Sequence, residues 1–469
     1  MADVTRGSTL TERLDAINEF DREPVTDEHL QGPGNFIGFY SGEHVAGTEF
    51  VIGPLFVAHG VSAGDLILGL LLGNLLAVLS WAFICAPIAV RTRLNLYWKL
   101  RKITGPYLLF VYNIVNALMF CFLAGAMISV AATAVGIPFH IAMPGLTDLY
   151  PNTAGWVVTV LAVGAVVTLL AILGFKQIAR FSKVAAPWMF LVFVACGVAV
   201  LPQLGVNSLG DFWTVANQKI WTGAPLAGRA HFSFWHIMFF AWFTNMAMHI
   251  GMADLTILRY AKRWQYGFFS AFGMYLGHYV AWIASGILVA LAIQNAGEIA
   301  PGPIAYLGAG IAGLAAVVIA GWTTANPTIY RAGLAWKRWK VTLAVGAITS
   351  VAALFPALMM RLLEFVALYG LVLMPMGAVI FADFWLLPRL GLRQDYADWK
   401  EVAFSWPAAA SWGVTLAACW AINALWGLQI FFLGLPGWFI ATAIYVALSY
   451  AQQNTRETAR AEQHLGDNA

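Results

Sequence analysis

Charge is what this sequence holds least of. Only 10% of its 469 residues are Asp, Glu, Lys or Arg, while 60% are hydrophobic. A soluble domain carries about 25% charged residues, so a water-soluble globular fold is excluded. Cysteine is scarce too: Cys85, Cys121, Cys196 and Cys419 lie inside apolar runs, without the spacing of a metal site or a disulfide framework. They read as small core residues. HExxH, GxSxG and Cys/His clusters are missing, so nothing points to a membrane-embedded enzyme or a bound cofactor. GAGIAG (308–313) matches GxGxxG in letters only; it sits in an apolar span with no strand before it and reads as close helix packing. The net charge of +3 gives no sign of a nucleic-acid partner. The first 33 residues are polar and acid-rich and lack a signal-peptide core. Within them, TLTERLDAINEF (9–20) has the pattern of a short amphipathic surface helix. Short alternating segments, the mark of a membrane β-barrel, are absent as well.

What the chain has instead is apolar runs of about 20 residues or more, the length a bilayer demands of a helix. Twelve spans fit, at roughly 35–59, 64–90, 106–136, 153–173, 184–202, 232–253, 265–294, 303–333, 341–360, 362–388, 404–426 and 429–451. The expectation is an all-α polytopic membrane protein whose partners are the lipid bilayer and a small-molecule substrate. Nothing in the sequence sets its oligomeric state. With both termini in the cytoplasm, the segments on that side hold 23 of the 26 Lys and Arg; only Lys219, Arg229 and Arg361 fall elsewhere. The expected setting is the plasma (inner) membrane.

Spans three and eight are long, and spans one and six carry polar residues and glycine. Corresponding irregularities five spans apart point to an inverted repeat with its site at the breaks. The expected organisation is an N-terminal tail (1–33), a first repeat (34–203), a second repeat (204–390), two peripheral helices (391–452) and a C-terminal tail (453–469).

Span one reads YSGEHVAGTEFVIGP over residues 40–54. It puts Glu43, His44 and Glu49 beside Gly47, Gly53 and Pro54. A charge at the bilayer centre costs at least ~2.5–3.5 kcal/mol, and broken backbone there must face protein or water. The stretch therefore lines an internal cavity. Glu43 reads either as a coupling carboxylate or as a residue reaching for the interface, and His44 either as a ligand or as a packing histidine. Glu49, midway along the span, is the harder one to explain structurally.

In span six, Trp242, Asn245 and His249 are spaced for one helix face, a set suited to a flat, nitrogen-rich ligand or to gluing neighbouring helices. Asn113, Asn116 and Phe120 make a similar face in span three, with the same two readings. In span eight, Thr323 and Thr324 follow Ala320 at i+3 and i+4, so a carbonyl and two hydroxyls converge. They suit Na⁺, a hard ion, or they bond back to their own helix. Asn326-Pro327 bends the same region.

Four stretches resemble the nucleobase–cation symporter-1 family, the purine–cytosine permease group. GWTTANPTIYRAGLA (321–335) is similar to its span-eight motif and ADLTILRYAKR (253–263) to its stretch after span six. GAVIFADFWLL (377–387) is similar to its span-ten run, and GVSAGDLILGLLLGNLL (60–76) to its span-two entry. The resemblance covers most of residues 35–390. It implies a five-plus-five inverted repeat of the leucine-transporter type, alternating access, and symport of a nucleobase-like solute with Na⁺ or H⁺. It implies a substrate between spans one, three, six and eight; the candidate contacts there, read from the residues themselves, are Glu49, Asn113, Asn116, Phe120, Trp242, Asn245, His249 and Asn326. It also implies a sodium site of Ala320, Thr323 and Thr324 with span-one carbonyls, taken as those of Ala46 and Gly47.

The departures are Phe120 for the family's tryptophan, Ala325 for its asparagine, a wider Asp254–Arg259 spacing, and span one's Glu43, His44 and Glu49. Buried carboxylates also suit a small organic cation, with Glu49 as counter-charge, or a proton in place of sodium. A passive channel is the alternative of a different class, against which stands the single off-axis polar cluster.

Overall fold

The computed structural model describes residues 20–144, 148–295, 300–333, 338–357 and 362–466. Apart from Phe20, the amphipathic segment 9–20 lies outside them. Among the described residues the structure is helical, with two isolated β-bridges and no strand. Among the described residues, nine helices are long and apolar enough to cross a membrane, and three shorter apolar ones stand where spans one, six and nine were read. Twelve spans are therefore accounted for. Side chains such as Leu68, Phe83, Trp420 and Trp426 stand exposed on the outer surface, where only lipid tolerates them. The four cysteines are buried and unpaired with one another.

Span one is two helices, α1 (Pro33–His44) and α2 (Glu49–Ala58), separated by Val45–Thr48. Pro33 starts α1, where its missing N–H costs nothing. Val45 leaves the helical region (ψ 66°), and the chain restarts when the Ala46 and Gly47 carbonyls accept the Glu49 and Phe50 N–H groups (3.2 and 3.3 Å). Gly53 lets span seven lie against α2: a Cβ there would stand 2.4 Å from the Trp282 carbonyl oxygen.

Spans two to five are α3 (Ala63–Thr92), α4 (Leu96–Gly136), α5 (Ala154–Ile172) and α6 (Phe175–Leu204). The apparent 41-residue length of α4 hides a break at Gly105 (φ 77°), so the span proper begins at Pro106, as the hydropathy implied. Span six is in three pieces: α7 (Phe234–Phe243), then the single turns α8 (Met246–His249) and α9 (Leu255–Leu258). Asn245 (φ −104°, ψ 28°) and Met252 (φ 65°) mark the breaks.

Spans seven to ten are α10 (Trp264–Gln294), α11 (Pro301–Gly333), α12 (Arg338–Ala352) and α13 (Leu362–Phe381). GAGIAG falls at a kink of α11, at Ala309 and Gly310, and Gly308 lies close enough to span five that a Cβ would stand 3.1 Å from Cys196 Cα. The packing reading holds, with a bend added. Spans eleven and twelve are α14 (Trp406–Trp426) and α15 (Gly434–Gly466). They are tied in: Trp412 donates to the Val372 carbonyl (2.8 Å), and the Tyr445 hydroxyl donates to Asp383 (3.1 Å).

The packing carries the repeat. Span seven runs along span one as span two runs along span six; span five packs on span eight as span ten packs on span three. Spans three and eight pair with each other, and so do four and nine. Exchanging spans one to five with six to ten maps these pairs onto one another. The counterparts two and seven also share π-helical segments, Trp81–Cys85 and Phe272–Tyr279, each facing a broken span. Such wide turns re-aim side chains and cluster at functional sites.

Candidate functional site

Where α1 ends, its last turn meets spans two, six and eight through buried charge. Arg331, near the end of α11, binds both oxygens of Glu43, with Nη2 to Oε2 at 3.0 Å, and reaches Asp254 Oδ1 at 2.6 Å. Asp254 Oδ2 accepts the Trp81 indole (2.6 Å) and the Tyr40 hydroxyl (3.1 Å). All five residues are buried. One guanidinium thus satisfies two carboxylates in a setting where an unpaired charge would be severely penalised. Glu43 does not reach for the interface; its charge is fully engaged inside the protein. Arg259, five residues after Asp254 in the sequence motif, turns away and donates to the Phe20 carbonyl (2.7 Å) and the Tyr260 hydroxyl (3.1 Å).

Beside this cluster lies a cavity of about 50 Å³, walled by the breaks of spans one and six and by spans three, seven, eight and ten. Its polar wall holds Glu43, His44, Thr48, Glu49, Thr244, Asn245, His278, Thr324, Thr328 and Tyr369. Ligand pockets usually measure ~300–1,000 Å³, so the cavity as it stands has room for water only.

Glu49, on the first turn of α2, accepts the Trp282 indole N–H through Oε2, and its backbone carbonyl accepts the Ser285 hydroxyl (2.7 Å). Its other oxygen faces His278 Nε2 at 3.9 Å. His44 donates from Nδ1 to the Tyr40 carbonyl (2.9 Å), because a carbonyl can only accept.

Of the remaining residues the sequence singled out, Asn245 stands at the cavity wall, its amide nitrogen unpartnered. Trp242, Asn245 and His249 do not share a helix face. The helix stops between them, so the 3.6-residue spacing no longer applies: Trp242 donates to Ser80 Oγ (3.0 Å), and His249 Nε2 donates to the Trp242 carbonyl (2.9 Å). Phe120 packs edge-on against Tyr369 of the wall (5.6 Å). Asn116 donates to the Tyr97 hydroxyl (2.7 Å), which donates to the Arg331 carbonyl (2.6 Å), so it links spans three and eight. Asn113 and the buried Asn326 stand outside the cavity lining, with side-chain atoms lacking partners.

In the Thr pair, Thr323 Oγ1 donates to the Ala320 carbonyl (3.1 Å), while Thr324 Oγ1 reaches the carbonyls of Ala320 (3.0 Å) and Glu43 (2.9 Å). Four oxygens converge, closed on one another by hydrogen bonds. The span-one carbonyl among them is that of Glu43. Those of Ala46 and Gly47 accept the N–H groups that open α2.

Arg331, Asp254, His278 and Tyr369 were not among the expected site residues. Two buried acids at one depth called for a cation, but Arg331 reads in the sequence as one more cytoplasmic anchor. His278 is a lone histidine in an apolar span.

No protein-family model matches the chain, and no characterised protein matches it by sequence. Solved structures do. Mhp1, a nucleobase-cation-symport-1 family transporter, in a closed conformation with bromovinylhydantoin bound, is 18% identical with a TM-score of 0.68, over 93% of this chain and 96% of that one. The inward-facing conformation of Mhp1 gives 16% and 0.67, over 92% and 93%. A Na⁺-coupled sialic acid symporter in a substrate-bound outward-open state gives 14% and 0.65, over 94% and 93%. The chain is an integral membrane protein with the fold that these transporters share, and this is the fold its sequence resemblance implied.

Proposed function

We propose that the chain is a secondary active transporter that imports a small nitrogenous solute, a nucleobase or related heterocycle, with Na⁺ or H⁺ by alternating access. The observation that carries this reading is the small polar cavity enclosed where two broken spans meet. Half-helix ends supply partial charge there. The fold is shared with cation-coupled symporters of different solutes. The Lys and Arg bias supports cytoplasmic termini.

Two groups can take the cation. Sodium would need the Ala320, Thr323, Thr324 and Glu43 oxygens to part from their mutual hydrogen bonds; a proton would use the carboxylate and imidazoles of the wall. Glu49 and Asn245 already face the cavity and contact the solute, and Phe120 closes on it through Tyr369. Trp242, His249, Asn113, Asn116 and Asn326 support the wall from behind. A small organic cation with Glu49 as counter-charge is the second reading, favoured by the absence of any Lys or Arg within 4.0 Å of Glu49 among the described residues.

A thermal-shift screen of nucleobases, hydantoins and small organic cations on purified protein, with and without Na⁺ and at two pH values, tests the class. Stabilisation by a heterocycle that depends on the cation is expected. Stabilisation by cations alone moves the assignment to the second reading, and no response to any of them contradicts both.

A further inference from the structure

One wall of the cavity carries three titratable groups in a row that no ion pair occupies. Glu49 is 1% exposed, and among the described residues its nearest basic partner is His278, with Nε2 3.9 Å from Oε1. The His278 ring lies stacked on Trp282 (centroids 4.2 Å, 15°), the same indole that donates to Glu49. The position of the imidazole is therefore set by the residue that holds the carboxyl. The ring also meets His44 edge-on, at 5.0 Å between centroids. His278 Nδ1 and His44 Nε2 are both buried and both without a partner. Since His44 must donate from Nδ1 to Tyr40, its Nε2 carries a lone pair. Gly277 makes this approach possible: a Cβ there would stand 2.1 Å from the His44 carbonyl oxygen.

We infer that the co-transported cation is a proton, held by the Glu49–His278 pair and relayed through His44; the inference rests on the symport reading above. A carboxylate at this depth without a counter-charge is heavily penalised, and one proton on the pair removes the penalty. In the relay, the O–H bond at Glu49 Oε1 breaks and its proton forms an N–H bond at the free Nε2 of neutral His278. The Nδ1–H bond of the resulting imidazolium then breaks as its proton forms an N–H bond at His44 Nε2, leaving Glu49 ionised, His278 neutral and His44 protonated. One proton moves along the row, and no electron changes hands.

The surroundings leave the row as the free titrating unit. From span one, Glu43 is neutralised by Arg331 of span eight, and Tyr40 donates to Asp254 of span six, which Arg331 also binds. Span six adds His249, separated from His44 by Trp81 of span two, which lies edge-on to both rings (4.8 and 5.8 Å). Span ten brings the Tyr369 hydroxyl, which donates to Met248 Sδ (3.5 Å). Span five packs Phe193 on Phe50. Span seven's own Tyr275 donates to the Leu71 carbonyl (3.1 Å) and stands near Tyr279, one turn on from it.

Infrared difference spectra of the purified full chain in nanodiscs, titrated from pH 5 to pH 9 in choline chloride and again in NaCl, test this without a solute. A buried carboxyl C=O band should titrate, with the same midpoint in both salts. Glu49→Gln should abolish it, Glu49→Asp should move it, and His278→Gln should displace its midpoint by about 1 pH unit, the size of a neighbouring charge's effect. Glu49→Asp keeps the test valid if Glu49→Gln does not fold. Superimposable spectra of the wild type and a Glu49 variant overturn the inference, as does a midpoint governed by Na⁺. The symport reading fails separately: a titrating Glu49 band without gradient-driven uptake sinks symport and leaves the proton site standing, whereas sodium-driven uptake by Glu49→Gln sinks the proton and leaves symport.

Discussion

Arg331 and Asp254 meet at 2.6 Å although 77 residues separate them. Their contact, with Glu43 on the other edge of the same guanidinium, fastens span eight to the breaks of spans one and six. Removing the arginine strands two buried acids. Arg331→Gln should cost about 3–5 kcal/mol, the price of a broken buried pair, and lower the melting temperature sharply. Adding Glu43→Gln to it should recover part of the loss, since one stranded charge disappears. A double-mutant cycle on purified protein checks this; additive losses would mean that the two side chains do not interact.

The Thr324 hydroxyl bridges spans one and eight through the Glu43 and Ala320 carbonyls. Thr324→Ala should cost about 1 kcal/mol of stability, the worth of an ordinary hydrogen bond. If a proton couples transport, uptake should keep its pH dependence and gain no new sodium dependence. Loss of a sodium response in this variant would place the cation at the Thr pair instead.

Lys99 lies between Asp383 (3.3 Å) and Asp395 (2.5 Å), and Tyr445 donates to Asp383. Asp383→Asn should destabilise by about 1–3 kcal/mol, less than Arg331→Gln, because Asp395 still balances the lysine. Tyr445→Phe should cost about 1 kcal/mol. Melting curves with matched uptake assays would show stability falling while ion coupling stays intact. A change in coupling would bring this second cluster into the transport cycle.

Asn245 faces the cavity, and Trp242, three residues before it, does not. Asn245→Ala should raise the KM for uptake by about tenfold, the effect of one lost hydrogen bond to a bound solute of ~1.4 kcal/mol. Trp242→Phe loses only the bond to Ser80 and should shift KM by less than about threefold. Equal effects of the two would restore the shared face that the residue spacing suggested.

That contrast marks what the sequence made legible. Twelve spans and the two breaks could be read because apolar length, glycine and proline act locally. Glu49 could be read as internal because charge in the middle of an apolar run has nowhere else to go, whereas Glu43, nearer the end of its span, stayed open between the interior and the interface. The partners could not be read. Whether Glu43 meets Arg331, or Glu49 meets His278 and Trp282, depends on how spans one, seven and eight are set against each other, and no local pattern carries that. The grouping of Trp242, Asn245 and His249 assumed a continuous helix through the segment where the chain leaves helical geometry, and the span-one carbonyl at the Thr pair shifted from Ala46 and Gly47 to Glu43 for the same reason. At a break, residue spacing stops reporting direction.

The most direct test of cation-coupled import is accumulation in proteoliposomes. Purified protein would be given the radiolabelled heterocycle that stabilises it best, with an inward proton gradient, an inward sodium gradient, or neither. The account predicts internal solute above the external concentration under the proton gradient, collapse of that excess on adding a protonophore, and only equilibration without a gradient. Equilibration to the external concentration under every condition would contradict it and make the chain a passive pathway.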